Sequence, residues 1–153
     1  MYRYRPARKR DYQAMLEVLE TVNMHHIPSL EVRELDWRYC FVAESREGKI
    51  VGMSGWARLN KRCAKTTLMA VLPECRGHDV GHALQTIRMI TAYHNNYEHM
   101  VTNADRPDTI AWYKKNFGYE EVGKLPKEHE FGLTDVHEWT TLRTSLKEWY
   151  ESS

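Results

Sequence analysis

Several features are scarce in this chain of 153 residues. Its three cysteines, Cys40, Cys63 and Cys75, are odd in number and lack any C-x-x-C spacing. That argues against a disulfide framework and for reduced thiols. No apolar stretch approaches membrane-spanning length, and Met1-Tyr2-Arg3-Tyr4-Arg5 lacks the apolar centre of a signal peptide. The expected location is the cytoplasm, with no membrane partner. Charge of one sign is not in excess: the formal net charge is +1, which gives no general drive toward nucleic acid. The one basic cluster, Arg3, Arg5, Arg8, Lys9 and Arg10, reads as solvated strand and loop faces rather than an RNA contact. No repeat, low-complexity tract or linker divides the chain. A single domain over residues 1–153 is therefore expected, and its 42% hydrophobic content suits a globular core.

What is present centres on residues 68–84. An apolar run of strand length, Leu68 to Leu72, ends at Pro73. A short loop, Glu74-Cys75-Arg76-Gly77-His78-Asp79, then enters a helical pattern, with Val80, Ala83, Leu84, Ile87, Ile90 and Thr91 on one stripe. A strand feeding a helix N-terminus leaves backbone N–H groups without intrahelical partners, at the positive end of the helix dipole. Such a place suits a phosphate or carboxylate. Gly77 and Gly81 let a ligand approach the backbone, and Arg76 adds a charge.

Around this centre the chain reads in order. Tyr2 to Arg5 alternates as a strand. Asp11 caps a helix carrying Tyr12, Met15, Leu16, Leu19 and Val22. Periodicity fades from Met24 to Tyr39, a stretch with His25, His26, Pro28, Glu31 and Glu34. Cys40–Glu44 and Ile50–Ala57 form a hairpin around Glu47-Gly48. After a turn from Asn60 to Cys63, Ala64–Leu72 is the strand before the loop. The helix runs to about Tyr93, and His99–Asn103 is a strand. Pro107 opens a helix that carries Ile110, Trp112 and Tyr113 and stops near Gly118. Tyr119–Leu125 and Val136–Leu146 are strands separated by a polar loop with Glu128, His129, Glu130 and Asp135. Lys147–Ser153 reads as a frayed end.

The Pro73 to Leu84 stretch, with its Arg-Gly-x-x-x-Gly-x-Ala-Leu pattern, resembles motif A of the GNAT family of N-acetyltransferases. That family binds the pyrophosphate of acetyl-CoA on Gln/Arg-x-x-Gly-x-Gly/Ala. Arg76 and Gly81 match, whereas the middle glycine is Asp79. Asp tolerates left-handed backbone better than most residues and is favoured in a first helical turn. Ile110-Ala111-Trp112-Tyr113-Lys114-Lys115-Asn116-Phe117-Gly118-Tyr119 is similar to the family's motif B, except that Arg106 replaces an asparagine that often opens it. The resemblance extends from Tyr2 to about Leu146 and implies an α/β (mixed α+β) fold, a mixed, mostly antiparallel sheet flanked by helices.

The resemblance also implies acetyl-CoA as co-substrate, held by Met69, Ala70, Val71, Arg76, Gly77, His78, Asp79, Val80, Gly81 and His82, with Asn103 beside the pantetheine arm. It implies direct transfer to an amine. A backbone N–H, best assigned to Val71, stabilises the oxyanion, and the Tyr113 hydroxyl protonates the departing thiolate. Tyr113 as a purely structural core aromatic is the alternative. Relatives often place a glutamate base on the strand that here reads Lys65-Thr66-Thr67-Leu68. This chain has none there, which leaves Glu44, His25, His26 and His129 as candidates. The acceptor, a small-molecule or protein amine, is open, as is a homodimer. Two rival classes stand beside this reading. His78 and His82 have the i, i+4 spacing of zinc ligands on a helix, but the glutamate of His-Glu-x-x-His is lacking, so no metal is expected. The other rival is a binding or regulatory module of the same fold, impaired by Asp79.

Overall fold

The computed structural model describes residues 1–22, 35–127 and 135–152. They hold seven strands, mostly antiparallel, and four α-helices, the α/β architecture expected. Two compact units divide the chain: Met1–Ala57 with Thr66–Met89, and Arg58–Lys65 with Ile90–Ser153. No described helix is long and apolar enough to cross a membrane.

In the first unit, β1 (Tyr2–Pro6) pairs antiparallel with β2 (Cys40–Ser45), and β2 pairs antiparallel with β3 (Ile50–Arg58). β3 is next to β4 (Cys63–Val71). The β2–β3 hairpin turns where its sequence predicts, with Gly48 at φ 84° and its N–H donating to the Ser45 carbonyl at 3.0 Å. All residues of β3 through Trp56 are buried, as a strand covered on both faces requires. α1 (Tyr12–Thr21) buries Met15, Val18 and Leu19. α2 (Val80–His94) contributes its residues through Met89.

Asp11 does not cap α1 with its side chain, contrary to expectation. Its carboxylate is taken by stronger donors. Arg5 donates to it from Nη1 at 2.8 Å and Nη2 at 3.0 Å, and the Arg8 backbone N–H donates at 2.7 Å. Arg5 Nη2 also reaches Glu44 Oε2 at 3.1 Å. The side chains of Arg5 and Asp11 are 9% and 7% exposed, so the fork-shaped cation ties β1, β2 and the start of α1 together in a shielded setting. The hydrogen bonds from Arg5 hold the Asp11 carboxyl below its ordinary range despite burial.

In the second unit, Cys63–Lys65 at the start of β4 pair parallel with β5 (His99–Ala104). β5 pairs antiparallel with β7 (Glu138–Ser145), and β7 with the edge strand β6 (Glu120–Pro126). α3 (Pro107–Phe117) opens on a proline and ends at Gly118, which takes the left-handed φ of 67° that a helix C-terminus favours. Thr144 Oγ1 donates to the Phe117 carbonyl at 3.0 Å and fastens that end to β7. The expected frayed end is instead a docked helix, α4 (Leu146–Ser152). Leu146 is fully buried, its N–H donates to the Glu98 carbonyl at 3.0 Å, and the Tyr150 ring stacks on Tyr93 at 4.2 Å. Aromatic stacking outweighs the polar composition that suggested fraying.

Replacing Arg5 with Met is expected to cost about 3 kcal/mol, because Asp11 stays buried without its cation. A carboxylate whose folded pKa is depressed contributes stability above its unfolded pKa and loses it as pH falls through the folded value. The Arg5→Met penalty, read as a shift in urea midpoint, should therefore shrink from about pH 6 to about pH 2. A penalty independent of pH would contradict this account.

Candidate active site

The first unit builds the loop between β4 and α2 from steric necessity. β4 alternates, with Ala64, Thr66, Leu68 and Ala70 buried and Met69 and Val71 half-buried on the other face. The Leu72 N–H, donating to the Val51 carbonyl at 2.8 Å, holds the exit of β4 against β3. A 3-10 turn over Pro73–Cys75 follows, with Pro73 where its missing N–H is not needed. The backbone is then extended at Arg76 and left-handed at Gly77, with φ 85°. It is left-handed again at Asp79, with φ 61°. The motif's missing glycine thus falls where the backbone needs a left-handed residue, and Asp is one of the few side chains that accept it.

The Asp79 carbonyl accepts from Ala83 N–H at 3.0 Å, the first bond of the α2 ladder. The N–H groups of Val80 and Gly81 stand ahead of that donor and have no i−4 carbonyl inside the helix. A Cβ added at Gly77 or at Gly81 would meet nothing within 4 Å, so the backbone is open to a ligand at both. Arg76, Gly77, His78, Asp79 and His82 are exposed, whereas Val80 is 2% exposed. Open glycines, N–H groups without intrahelical partners and an arginine fit an anionic phosphate; the Asp79 carboxylate opposes it.

Val80 is buried because α2 comes very close to the sheet. A Cβ on Gly52 would lie 3.2 Å from Leu84 Cδ1, 3.3 Å from Val80 Cγ1 and 3.3 Å from the Ala70 carbonyl. On β1, Tyr2 and Tyr4 flank the loop, a placement the sequence pattern does not predict. The Tyr2 ring meets His78 edge-on at 6.1 Å. The Tyr2 phenol pKa is raised, first by a hydrogen bond to Cys75, and that of Tyr4 by burial and then by the Asp79 charge.

The stripe of α2 that faces inward also departs from the sequence reading. Ala83, Ile87, Ile90 and Thr91 are only half-buried, and Val80, Leu84, Gln85, Arg88 and Met89 form the buried line. Arg88 is 1% exposed and Gln85 is fully buried. A polar glutamine and a cation at i, i+3 read as surface residues by type. Only the i, i+4 spacing of Leu84 with Arg88 and of Gln85 with Met89 hints otherwise. Arg88 Nε donates to Gln85 Oε1 at 3.0 Å, and Nη2 makes a second, shorter bond to the same oxygen. Nη1 donates to the Gly55 carbonyl at 3.0 Å and the Leu68 carbonyl at 3.5 Å, and Nη2 lies 3.6 Å from Met69 Sδ. Nearby, burial pushes the Cys40 thiol up to about 12, against the pull of the Arg88 charge.

In the second unit, Tyr113 on α3 is 6% exposed, and its ring packs edge-on against Trp112 and Tyr119, each at 5.0 Å. Asn103 on β5 is half-buried, and its Oδ1 accepts from Thr141 Oγ1 at 2.7 Å. Arg106 pairs with Asp108 at 3.3 Å at the exposed start of α3. Among the candidate bases, Glu44 is engaged by Arg5, whose Nη2 donates to its Oε2 at 3.1 Å. His25, His26, Glu31, Glu34, Glu128, His129 and Glu130 lie outside the described residues, and Asp135 is exposed. The zinc-spacing premise fails on geometry. α2 begins at Val80, so His78 sits in the loop and shares no helical face with His82. Among the described residues, no three His, Cys, Asp or Glu side chains gather as a metal site.

A family model described as the acetyltransferase (GNAT) domain matches residues 36–121, more than half of the chain. The chain belongs to the GNAT family. Its fold is similar to that of Ard1 from Thermoplasma volcanium, with TM-score 0.77 and 19% identity over 94% of this chain and 97% of that one. It is also similar to the ribosomal-protein-S18-alanine N-acetyltransferase from Escherichia coli, with TM-score 0.74 and 16% identity over 95% and 94% of the two chains. A third such structure, yncA from Salmonella typhimurium, was solved with its cofactor acetyl-CoA and has TM-score 0.73 and 16% identity over 95% and 94%. No curated protein matches the chain. GNAT membership is consistent with acetyl transfer from acetyl-CoA.

Because Gly52 gives α2 its seat, Gly52→Val should cost about 2 kcal/mol through overpacking against Val80, Leu84 and the Ala70 carbonyl. Thermal or urea unfolding reads this directly. An unchanged midpoint would mean that α2 rides higher than described.

Proposed function

We propose that this chain is an N-acetyltransferase that moves the acetyl group of acetyl-CoA onto a primary amine of a small molecule or protein. The observation that carries the reading is the loop before α2. In a chain of this family, it combines two open glycines, a left-handed Asp79 and N–H groups without intrahelical partners at a helix N-terminus. When bound, acetyl-CoA supplies an acetyl group activated as a thioester. The residues Arg76–His82 hold its pyrophosphate, with Val80 and Gly81 N–H as donors. Along β4, Met69 and Ala70 flank the coenzyme arm, and the Val71 N–H donates to negative charge that develops on the carbonyl oxygen. Tyr113, on α3, keeps its hydroxyl proton until it is needed by the leaving sulfur. Asn103 is proposed to contact the pantetheine arm.

The acceptor must present a neutral amine, because an ammonium has no lone pair. The near-neutral net charge of +1 argues weakly against a strongly basic acceptor. No metal is required by these roles, and neither nucleic acid nor a membrane is proposed as partner. A cytoplasmic location and a homodimer complete the proposal. Asp79 supports one rival, a binding or regulatory module of the same fold whose carboxylate keeps the coenzyme out.

Titration calorimetry with acetyl-CoA, beside CoA and in the presence of a chelator, separates the two. Micromolar binding that survives chelation is the expected result, and no binding at high coenzyme concentration would favour the rival. Asp79→Gly keeps the left-handed backbone and removes one negative charge, so it should tighten acetyl-CoA by about threefold at low salt and less at high salt. Tyr113→Phe should leave that affinity unchanged and slow thiol release from acetyl-CoA by about a hundredfold once an accepting amine is found. Equal rates would remove Tyr113 from the mechanism.

A further inference from the structure

The buried pair Gln85–Arg88 has no part in the roles above, yet it occupies a demanding place. Burying a guanidinium is costly unless its donors are met, so a cation 1% exposed requires a set of acceptors built for it. Here one fork spans two strands. Nη1 donates to Gly55 of β3 at 3.0 Å and approaches Leu68 of β4 at 3.5 Å, while Nη2 contacts Met69 Sδ at 3.6 Å. Gln85, one helical turn earlier, accepts from both Nε and Nη2 and so fixes the plane of the fork.

Sheet ladders normally consume strand carbonyls in the plane of the sheet. A side chain descending from α2 to the carbonyls of Gly55 and Leu68 therefore ties the peptide planes of β3 and β4 to the helix. The constrained peptide of Leu68 leads directly into Met69, Ala70 and Val71, the residues assigned to the coenzyme arm and the oxyanion. Gly55 is itself tightly hemmed: a Cβ there would collide with Thr67 Oγ1 and lie 3.2 Å from Cys40 Sγ.

We propose that Arg88, oriented by Gln85, is a positioning residue that sets the backbone of β4 so that the N–H following it polarises the thioester carbonyl. This rests on the acetyl-CoA reading of the same strand. Small displacements matter in such a role, since misplacing a donor by about 1 Å can cost about a hundredfold in rate. The pyrophosphate loop lies beyond Val71, so affinity for the coenzyme should depend little on Arg88.

The test uses acetyl-CoA labelled with carbon-13 at the acetyl carbonyl, bound to the full chain and observed by NMR, with affinity measured by calorimetry on the same samples. In the wild-type complex, the carbonyl carbon should resonate downfield of free ligand. In Arg88→Met the displacement should collapse toward the free value, with affinity changed by less than about threefold. Arg88→Lys is the second variant. It keeps a buried cation and a donor, which favours folding, but a point charge cannot span both strands in one plane, so the downfield displacement should remain mostly lost. Gln85→Leu should reduce it in part.

A merely structural Arg88 would lower the unfolding midpoint and leave the carbonyl signal of the folded complex unchanged, which would overturn the inference. So would a full wild-type displacement in Arg88→Lys, or a wild-type carbonyl that resonates like free ligand. Absence of acetyl-CoA binding by the wild-type chain would overturn the functional reading and this inference together.

Discussion

At Gly52, β3 carries no side chain, and Val80 and Leu84 of α2 occupy the space this leaves. This close approach is the constraint on which the first unit depends. A helix can hold its N-terminus beside the exit of a strand only if the sheet beneath is thin enough to receive it. The residues in register there are small, with Ala43 opposite Gly52 and the Ala70 carbonyl beside it. Burial of Val80 and Leu84 then supplies apolar area that keeps the helix down. The backbone at Val80 and Gly81 is thereby held by packing. In the anion-binding role proposed for this loop, donors held that way do not have to be ordered again on binding.

Two shielded guanidinium groups serve this unit in different ways. Arg5 meets carboxylates, Asp11 and Glu44, and the charges offset one another in place. It acts as a brace at one edge of the sheet, fastening β1 to β2 and to the start of α1. Arg88 meets strand carbonyls and the Gln85 amide oxygen instead. Carbonyl acceptors couple a side chain to the backbone, which is the basis of the positioning role proposed for Arg88. The two guanidinium groups are both shielded, and what distinguishes them is the acceptor: carboxylates for Arg5, backbone carbonyls and an amide oxygen for Arg88.

The order of elements was legible in the sequence because each has a local cause. Alternation marks β1, the Glu47-Gly48 turn marks the β2–β3 hairpin, Pro107 opens α3 and Gly118 closes it. Motif A was legible for the same reason, since Gly77 and the run after it are local signals. What escaped had non-local causes. Asp11 has the right type and position for a cap, but Arg5 and the Arg8 N–H bind its carboxylate more strongly. The inward face of α2 is not legible locally, because Arg88 and Gln85 look like solvent residues until strand carbonyls are brought against them. Lys147–Ser153 looked frayed because stacking of Tyr150 on Tyr93 joins residues far apart in sequence. Residues such as His25, His26 and His129 were legible only as candidates.

Asp79 shows why a motif position has to be read as physics rather than as a letter. A glycine at this place can meet two separate needs, a backbone with positive φ and a face without a side chain. The two can be satisfied separately. At φ 61° Asp79 meets the first, at a strain that Asp and Asn bear more easily than other residues. The second is met on either side, at Gly77 and Gly81, where a Cβ would find open space. Burial, and after it the nearby Asp79 charge, raises the pKa of the Tyr4 phenol on β1. The loop thus keeps its shape with one charge of the wrong sign for a phosphate. The cost of that charge is a matter of distance and screening, whereas a residue unable to adopt positive φ would have removed the shape itself.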